Sequence, residues 1–220
     1  MATTATTSVE ERRRLARRLA GRGRGFAEEY GFRVTNNPSS LFQVLCLAIL
    51  LRRVDDARRA VEPARALRDQ GWESPARMAR SRPEARAAVL REHGRADADR
   101  IAGTLGRLAE ALVGRYQGDL RRLRAAARYR PERERALLGE LPGVDGEVTD
   151  LFLREVQTLW RESAPVAGRR ALAAARRLGL GRSAADLAAL AGSGESEKLA
   201  WLVGALARID LEDAYHEIGR

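Results

Sequence analysis

The stretch from Leu141 to Leu153, LPGVDGEVTDLFL, constrains the fold most, because it changes chain direction within a few residues between two helical segments. Pro142 and Gly143 are typical turn residues, and Gly143 can take the positive φ that other residues avoid. An apolar helix begins near Gly146. We therefore predict two helices joined by a tight turn.

This layout, a helix-hairpin-helix, has a backbone chemistry of its own. Gly143 has no side chain to keep a phosphate away from the turn amides, and the helix that follows points its unpaired N–H groups and positive dipole end at the same place. The hairpin is therefore interpreted as a phosphate-binding element. The alternative is an ordinary loop between two packed helices, which a short Gly/Pro turn alone would favour.

The charge balance points to a polyanionic partner. The chain of 220 residues has 40 Lys plus Arg against 30 Asp plus Glu, a net charge of +10, and nearly all of its cationic residues are arginine. A guanidinium binds phosphate through two parallel hydrogen bonds and stacks on bases, whereas a lysine offers a point charge. Nucleic acid is the first candidate partner.

The single cysteine excludes several classes of protein. Cys46 lies in the apolar run 41–51, so neither an intramolecular disulfide nor a cysteine-ligated metal centre can form, and a core position is predicted. The run is too short to span a bilayer and is followed at once by Arg52 and Arg53. The polar N-terminus lacks the apolar part of a secretory signal. We expect no membrane association and a cytoplasmic location.

The rest of the chain is predicted to be helical. Ser8 is expected to cap the first helix, a nearly all-apolar helix is expected over 39–51, and apolar residues recur at helical spacing from 55 to 115. Pro131 is expected to open the helix before the hairpin. The hairpin helix is predicted to run to about Trp160. No alternating β pattern of useful length is present.

Several segments, in order, resemble the helix-hairpin-helix DNA glycosylase superfamily, the base-excision enzymes related to endonuclease III. These are SSLFQVLCLAILLRRVDD, ADADRIAGTLGRLAEAL, YQGDL, ERALLGELPGVDGEVTDLFLREV and APVAGRRALAAARRLGL. Together they extend from about Ser39 to Leu180. No single segment identifies the family, and the resemblance is specific because the segments occur together in the same order.

The resemblance implies an all-α, two-lobed fold with DNA across the cleft. One lobe would be six helices over 34–160, containing the hairpin at 141–153. The other would join 8–33 to 161–220, after a disordered tail at 1–7. The family flips a damaged nucleotide into a pocket between the lobes, since its glycosidic bond is out of reach inside the stack.

The family's catalytic residues do not carry over. Glu147 stands where members with lyase activity have the lysine whose amine attacks the sugar, and Ala167 stands at the position of the family's aspartate. Glu147 or Asp150 is the candidate replacement carboxylate, although Glu147 also suits a first helical turn for its charge alone. The family's four-cysteine cluster is absent from the sequence.

The hairpin also departs from the family pattern, because Asp145 replaces its second glycine. A carboxylate there repels phosphate unless it points away or helps to hold a cation, and Gly146 could shift the turn by one residue. Arg53 corresponds to the residue that fills the gap left by a flipped base. The residues expected to contact DNA are Leu141, Gly143, Val144, Asp145, Gly146, Arg53, Arg169 and Arg170. We expect no cofactor, apart from the option of a monovalent cation at the hairpin.

Three functions are consistent with these sequence features. The first is a double-stranded DNA-binding protein that recognises damaged or modified DNA and lacks lysine-dependent lyase chemistry. The second is a monofunctional DNA N-glycosylase for an unusual lesion that uses Glu147 or Asp150. The third is a helical protein–protein scaffold, whose protein partner the sequence does not identify.

Overall fold

The computed structural model describes residues 8–52, 54–192 and 196–218, and these form helices joined by short loops. The α-helices are α1 (Val9–Ala20), α2 (Phe26–Glu29), α3 (Pro38–Leu51), α4 (Arg58–Asp69), α5 (Pro75–Arg80), α6 (Pro83–Glu92), α7 (Ala98–Tyr116), α8 (Leu120–Ala126), α9 (Pro131–Gly139), α10 (Gly146–Val156), α11 (Arg169–Arg177), α12 (Ala184–Ala191) and α13 (Ser196–Leu211). Short 3₁₀ helices cover Arg161–Ser163 and Ala214–Glu217. The predicted tail at 1–7 and Arg53 lie outside the described residues.

The apolar helix α3 lies at the centre of its lobe, as its all-round hydrophobicity predicts. Asn37 caps it by accepting a hydrogen bond from the Ser40 amide, and Pro38 occupies its first turn. It packs against α4, α8 and α10. Cys46 is buried within it, as predicted. No helix in the described residues has the length and apolar character needed to cross a membrane.

The helices pack in two groups. Helices α5 and α6 pack on α7, α4 packs on α3, and α8 contacts α3, α7 and α9, whereas α1, α2, α11 and α12 all pack on α13. Helix α10 contacts α3 and α9 on one side and α13 on the other. The helix after the hairpin therefore lies between the two lobes, and its exposed face borders the space between them.

Helix α10 ends earlier than predicted, at Val156 rather than near Trp160. The reason is Gln157, which is fully buried and bonds to the returning chain: its Nε2 donates to the carbonyls of Arg154 and Val166, both at 2.9 Å, and its Oε1 accepts from the Val166 amide at 3.0 Å. Trp160 then packs edge-on against Phe152, with ring centroids 5.4 Å apart. The segment before α11 is thereby fixed against the end of α10.

A buried carboxyl group supports the same return segment. Glu134 on α9 is fully buried and accepts a hydrogen bond from Ser163 Oγ at 2.5 Å. Next to it, Arg124 makes a two-bond pair with Glu162, at 2.6 and 2.7 Å. Burial, together with the neighbouring Glu162 carboxylate, raises the pKa of Glu134 to about 7, against an ordinary value of 4.5.

This raised pKa predicts a pH-dependent stability that Glu134→Gln removes. Between pH 4.5 and about 7 the folded protein holds a proton that the unfolded chain has released, so Glu134 lowers stability as pH rises through this window. Glutamine keeps the acceptor for Ser163 without a charge. We expect Glu134→Gln to be more stable than the native chain by roughly 2–3 kcal/mol at pH 8 and close to it at pH 4.5.

Urea unfolding at both pH values measures the difference. The control is Glu132→Gln, which removes an exposed carboxylate from the same helix. A Glu134→Gln effect that is the same at the two pH values would contradict a raised pKa at this position.

Candidate nucleic-acid interface

The hairpin turn has the predicted geometry. The Val144 amide donates to the Leu141 carbonyl at 3.0 Å across a four-residue turn. Pro142 takes the second position and Gly143 the third, where φ is +80°. This is the arrangement of a type II turn, which requires glycine or asparagine at that third position.

Gly143 is also needed for packing against α7. A Cβ at this position would lie 2.2 Å from Thr104 Cγ2, far inside van der Waals contact. The side chains of Leu141 and Val144 are buried in the core, at 2% and 5% exposure. Of the residues expected to contact DNA, these two can therefore offer a ligand only backbone atoms.

The Asp145 side chain caps helix α10 and forms an ion pair with Arg52. It is the N-cap, with Oδ1 accepting from the Val148 amide at 3.0 Å, and its Oδ2 pairs with Arg52 Nη2 at 2.7 Å. Both oxygens thus have protein partners, which accounts for an acid at this position beside the hairpin turn. Gly146 is exposed, and a Cβ added there would meet nothing within 4 Å. The amide end of α10 is open at Gly146.

A cavity of about 280 Å³ lies between the lobes, along the exposed face of α10. Its polar lining brings together Glu147, Asp150, Arg154, Arg169 and Arg170. The apolar lining comes from Phe26, Leu51, Leu151, Ala207 and Leu211. The two candidate carboxylates and two of the arginines expected to contact DNA therefore share one cavity.

Each candidate carboxylate is held in an ion pair. Arg169 Nη2 donates to Glu147 Oε1 at 3.1 Å, and Arg135 Nη1 donates to Asp150 Oδ1 at 2.7 Å. These pairs involve one oxygen of each carboxylate. A carboxylate that faces the cavity can stabilise positive charge that develops on a bound ligand.

Arg170 is fixed at the wall of the cavity. Its Nη1 donates to Asp210 at 3.1 Å and its Nη2 donates to the Val54 carbonyl. These bonds tie α11 to α13 and to the segment that follows α3. Arg169 is much more exposed, with two thirds of its side chain open to solvent, and is the better placed of the two to meet a ligand that approaches the mouth.

Ala167 is buried, at 2% exposure, and its neighbour Gly168 lines the cavity instead. Gly168 has φ of +76° and opens α11. A Cβ there would touch Arg154, 3.9 Å from Cδ and 4.0 Å from Nη1. The structure therefore places a methyl group, and no carboxylate, at the position that the resemblance assigns to the family's aspartate.

Arg154 and Gln157 are functional candidates that no sequence motif indicated. Arg154 is 3% exposed, pairs with the neighbouring Glu155 at 2.6 Å and lies 5.0 Å above the Phe26 ring. The available signal was spacing: residues 147, 150 and 154 share one face of a helix. An Arg–Glu pair in a chain so rich in arginine gave no indication of burial.

A second concavity, of about 560 Å³, lies on the other side of the hairpin and reaches Gly143. It is lined by Arg52, Arg59, Arg95 and Arg100, with Asp55 and Asp97 between them. Arg95 and Arg100 both pair with Asp97. The arginines exceed the acids here, so the hairpin lies beside a surface of net positive charge.

The similarity of this chain to known proteins lies in its fold. No family model matches the sequence, and no curated protein matches it. Solved structures do match. A trapped covalent intermediate of endonuclease III with DNA, an estranged-adenine complex, superposes with a TM-score of 0.57 at 16% identity, over 92% of this chain and 85% of that chain.

Two further structures agree. A thermostable thymine-DNA glycosylase gives a TM-score of 0.57 at 16% identity, over 91% of this chain and 88% of its own. A non-covalent endonuclease III–DNA complex gives 0.53 at 16% identity, over 90% and 85%. The chain thus has the all-α, two-lobed fold of the helix-hairpin-helix DNA glycosylases, as the sequence predicted.

Proposed function

We propose that this protein binds double-stranded DNA and receives an extrahelical nucleotide, from a damaged or modified site, in the cavity between its lobes. The observation that carries the proposal is the cavity itself, which adjoins the amide end of α10 and collects Glu147, Asp150, Arg169 and Arg170. The hairpin would bind a backbone phosphate through turn and helix amides. The net charge of +10 supports a polyanionic partner.

The proposed function does not include lysine-dependent lyase chemistry. Glu147 lines the cavity at the family's lysine position, and a carboxylate cannot form a Schiff base. Lys198, the only lysine in the sequence, lies on α13 and lines a different groove with Arg17 and Trp201. None of the residues lining the cavity is a lysine.

Gly146→Leu tests the hairpin without disturbing the fold. The position is open, so a leucine fits, yet it would stand between the first amides of α10 and a phosphate. Native affinity for duplex DNA is expected in the low micromolar range or better in modest salt. We expect Gly146→Leu to weaken binding about tenfold for all sequences, and to reduce the slope of log affinity against log salt by about one phosphate contact, or roughly 0.9.

The matched control is Gly114→Leu, another exposed glycine with open space, on α7. Fluorescence anisotropy over a range of salt concentrations gives both quantities. If Gly146→Leu folds and binds DNA like Gly114→Leu, the hairpin is not the phosphate site. If the native chain shows no salt-dependent binding to duplex DNA, the scaffold hypothesis replaces the present one.

A monofunctional N-glycosylase is the second candidate, favoured by one observation: both candidate carboxylates face the same cavity. An ionised carboxylate there could stabilise an oxocarbenium-like sugar while a labile base departs. Base release from any member of a panel of modified duplexes would support an enzyme. Loss of that release in Glu147→Gln or Asp150→Asn would identify the carboxylate.

A further inference from the structure

The guanidinium of Arg154 has a hydrogen-bond donor without a protein acceptor. The residue is 3% exposed, and its Nη2 has no hydrogen-bond partner among the described residues, although Nε donates to Glu155 at 2.6 Å. A buried polar group that lacks a partner is energetically unfavourable, and more so when it is charged. Such a group in a ligand-sized cavity indicates that the partner comes from the ligand.

Arg154 lies at the closed end of the cavity. Glu147, Asp150 and Arg154 follow one another along one face of α10, about one helical turn apart. The exposed fractions of their side chains are 31%, 42% and 3%. The carboxylates are therefore at the rim and the guanidinium is at the floor.

Neighbouring residues leave room beside the guanidinium. Gly168 lacks the Cβ that would touch Arg154 Nη1. Phe26, Leu51 and Leu211 form apolar walls, against which a flat ring can pack. At about 280 Å³, the cavity is slightly below the usual range for drug-sized ligands and suits a single base.

We infer that the cavity reads a guanine-type base, with Arg154 donating to O6 and N7 and a rim carboxylate accepting from N1–H and the N2 amino group. The inference rests on the proposed function, because the base must arrive as an extrahelical nucleotide of bound DNA. Paired donation from arginine to O6 and N7 is the commonest base-specific contact of this side chain.

The other bases fit this lining less well. Adenine has an amino group beside N7, so it would set donor against donor at Arg154. Thymine has only O4 beside a methyl group on the same edge. Cytosine can offer acceptors to an arginine, but it has one amino group for the rim, whereas guanine has two adjacent donors, N1–H and the N2 amino group, for a rim carboxylate.

Altered bases test the inference on the native protein. Duplexes carrying one unpaired residue are compared: guanine, 7-deazaguanine, hypoxanthine, cytosine, adenine, or a tetrahydrofuran without a base. We expect guanine to bind at least tenfold more tightly than tetrahydrofuran, since a paired contact of this kind is worth about that much. We expect 7-deazaguanine, which lacks N7, to lose most of the gain, and hypoxanthine, which lacks the amino group, to lose part of it.

Two variants locate the effect. Arg154→Met with Glu155→Gln removes the guanidinium without leaving a buried carboxylate unpaired, and glutamine keeps an acceptor for the Ala27 amide that now donates to Glu155 at 2.7 Å. Glu155→Gln alone is the matched control. We expect the double variant to bind guanine and tetrahydrofuran duplexes equally well, and the control to keep the native preference.

The outcomes separate the two proposals. Equal affinity for guanine and 7-deazaguanine, or tighter binding of cytosine, overturns the assignment of the base while DNA binding stands. Retention of guanine preference in the double variant overturns the role of Arg154. Absence of binding to every duplex, tetrahydrofuran included, overturns the proposed function itself.

Discussion

Gly143→Ala is expected to lower the free energy of unfolding by about 3 kcal/mol or more. A φ of +80° costs an alanine roughly 1–2 kcal/mol. The new Cβ would also stand 2.2 Å from Thr104 Cγ2, in a contact between the hairpin and α7, and overpacking of this kind costs about 1–3 kcal/mol. The backbone strain and the steric clash add, because neither the hairpin nor α7 can move away without disturbing the turn.

The control is Gly146→Ala, three residues away, where the Cβ meets nothing and the residue lies in a helical first turn. We expect that change to be neutral within about 0.5 kcal/mol. Adding Thr104→Ser to Gly143→Ala should recover part of the lost stability, because serine lacks Cγ2. Serine also keeps the hydroxyl that donates to the Arg100 carbonyl at 2.8 Å. Urea unfolding of the four proteins measures this, and equal costs at 143 and 146 would contradict the packing argument.

This result limits what Gly143 can reveal about DNA. A bulky residue there would damage the fold before it obstructed a phosphate, so weaker DNA binding by such a variant would have two causes. The sequence suggested the positive φ of the turn and the approach of a phosphate as reasons for this glycine, but gave no sign of its close contact with α7. Only the position of Thr104 shows that contact.

Local signals predicted the elements of the fold well. The turn at Pro142 and Gly143, the cap at Ser8, the apolar α3 and the burial of Cys46 all depend on residues close in sequence. The order of matching segments supplied the fold itself, which the structural comparison then confirmed.

The interior of the candidate site could not be predicted in the same way. Gln157 acts through bonds to Val166, nine residues later, and these bonds end α10 earlier than its apolar spacing suggested. Arg154 is buried because Glu155 and the Phe26 ring surround it, and Phe26 lies far away in the sequence. Polar residues whose partners come from the other lobe have no distinct sequence pattern.

Position 167 is a poor place to restore the family's chemistry. Its side chain is buried, at 2% exposure, and the cavity is lined by Gly168 instead. Ala167→Asp would therefore bury a carboxylate, and burial favours its protonated form. Position 147 is different, because its side chain already faces the cavity and is partly exposed.

Glu147→Lys is expected to introduce Schiff-base chemistry at the cavity, whose lining contains no lysine. The new amine would lie beside Arg169, whose Nη2 is 3.1 Å from Glu147 Oε1 in the native chain, and Arg154 and Arg170 line the same cavity. Nearby cations lower the pKa of a lysine and leave more of its neutral, nucleophilic form at pH 7. That amine would attack the aldehyde of an abasic sugar, lose water to form an imine, and be trapped when borohydride reduces the imine to a secondary amine.

The assay compares native protein, Glu147→Lys and Glu132→Lys on abasic duplex DNA. Glu132 is exposed on α9 and does not line the cavity, so its lysine controls for added charge and for random contact. We expect at least tenfold more adduct with Glu147→Lys than with either of the others, since a correctly placed nucleophile gains from proximity by far more than this factor. If Glu147→Lys binds the duplex and yields no more adduct than Glu132→Lys, the sugar does not reach the cavity, and the nucleotide must be received elsewhere on the protein.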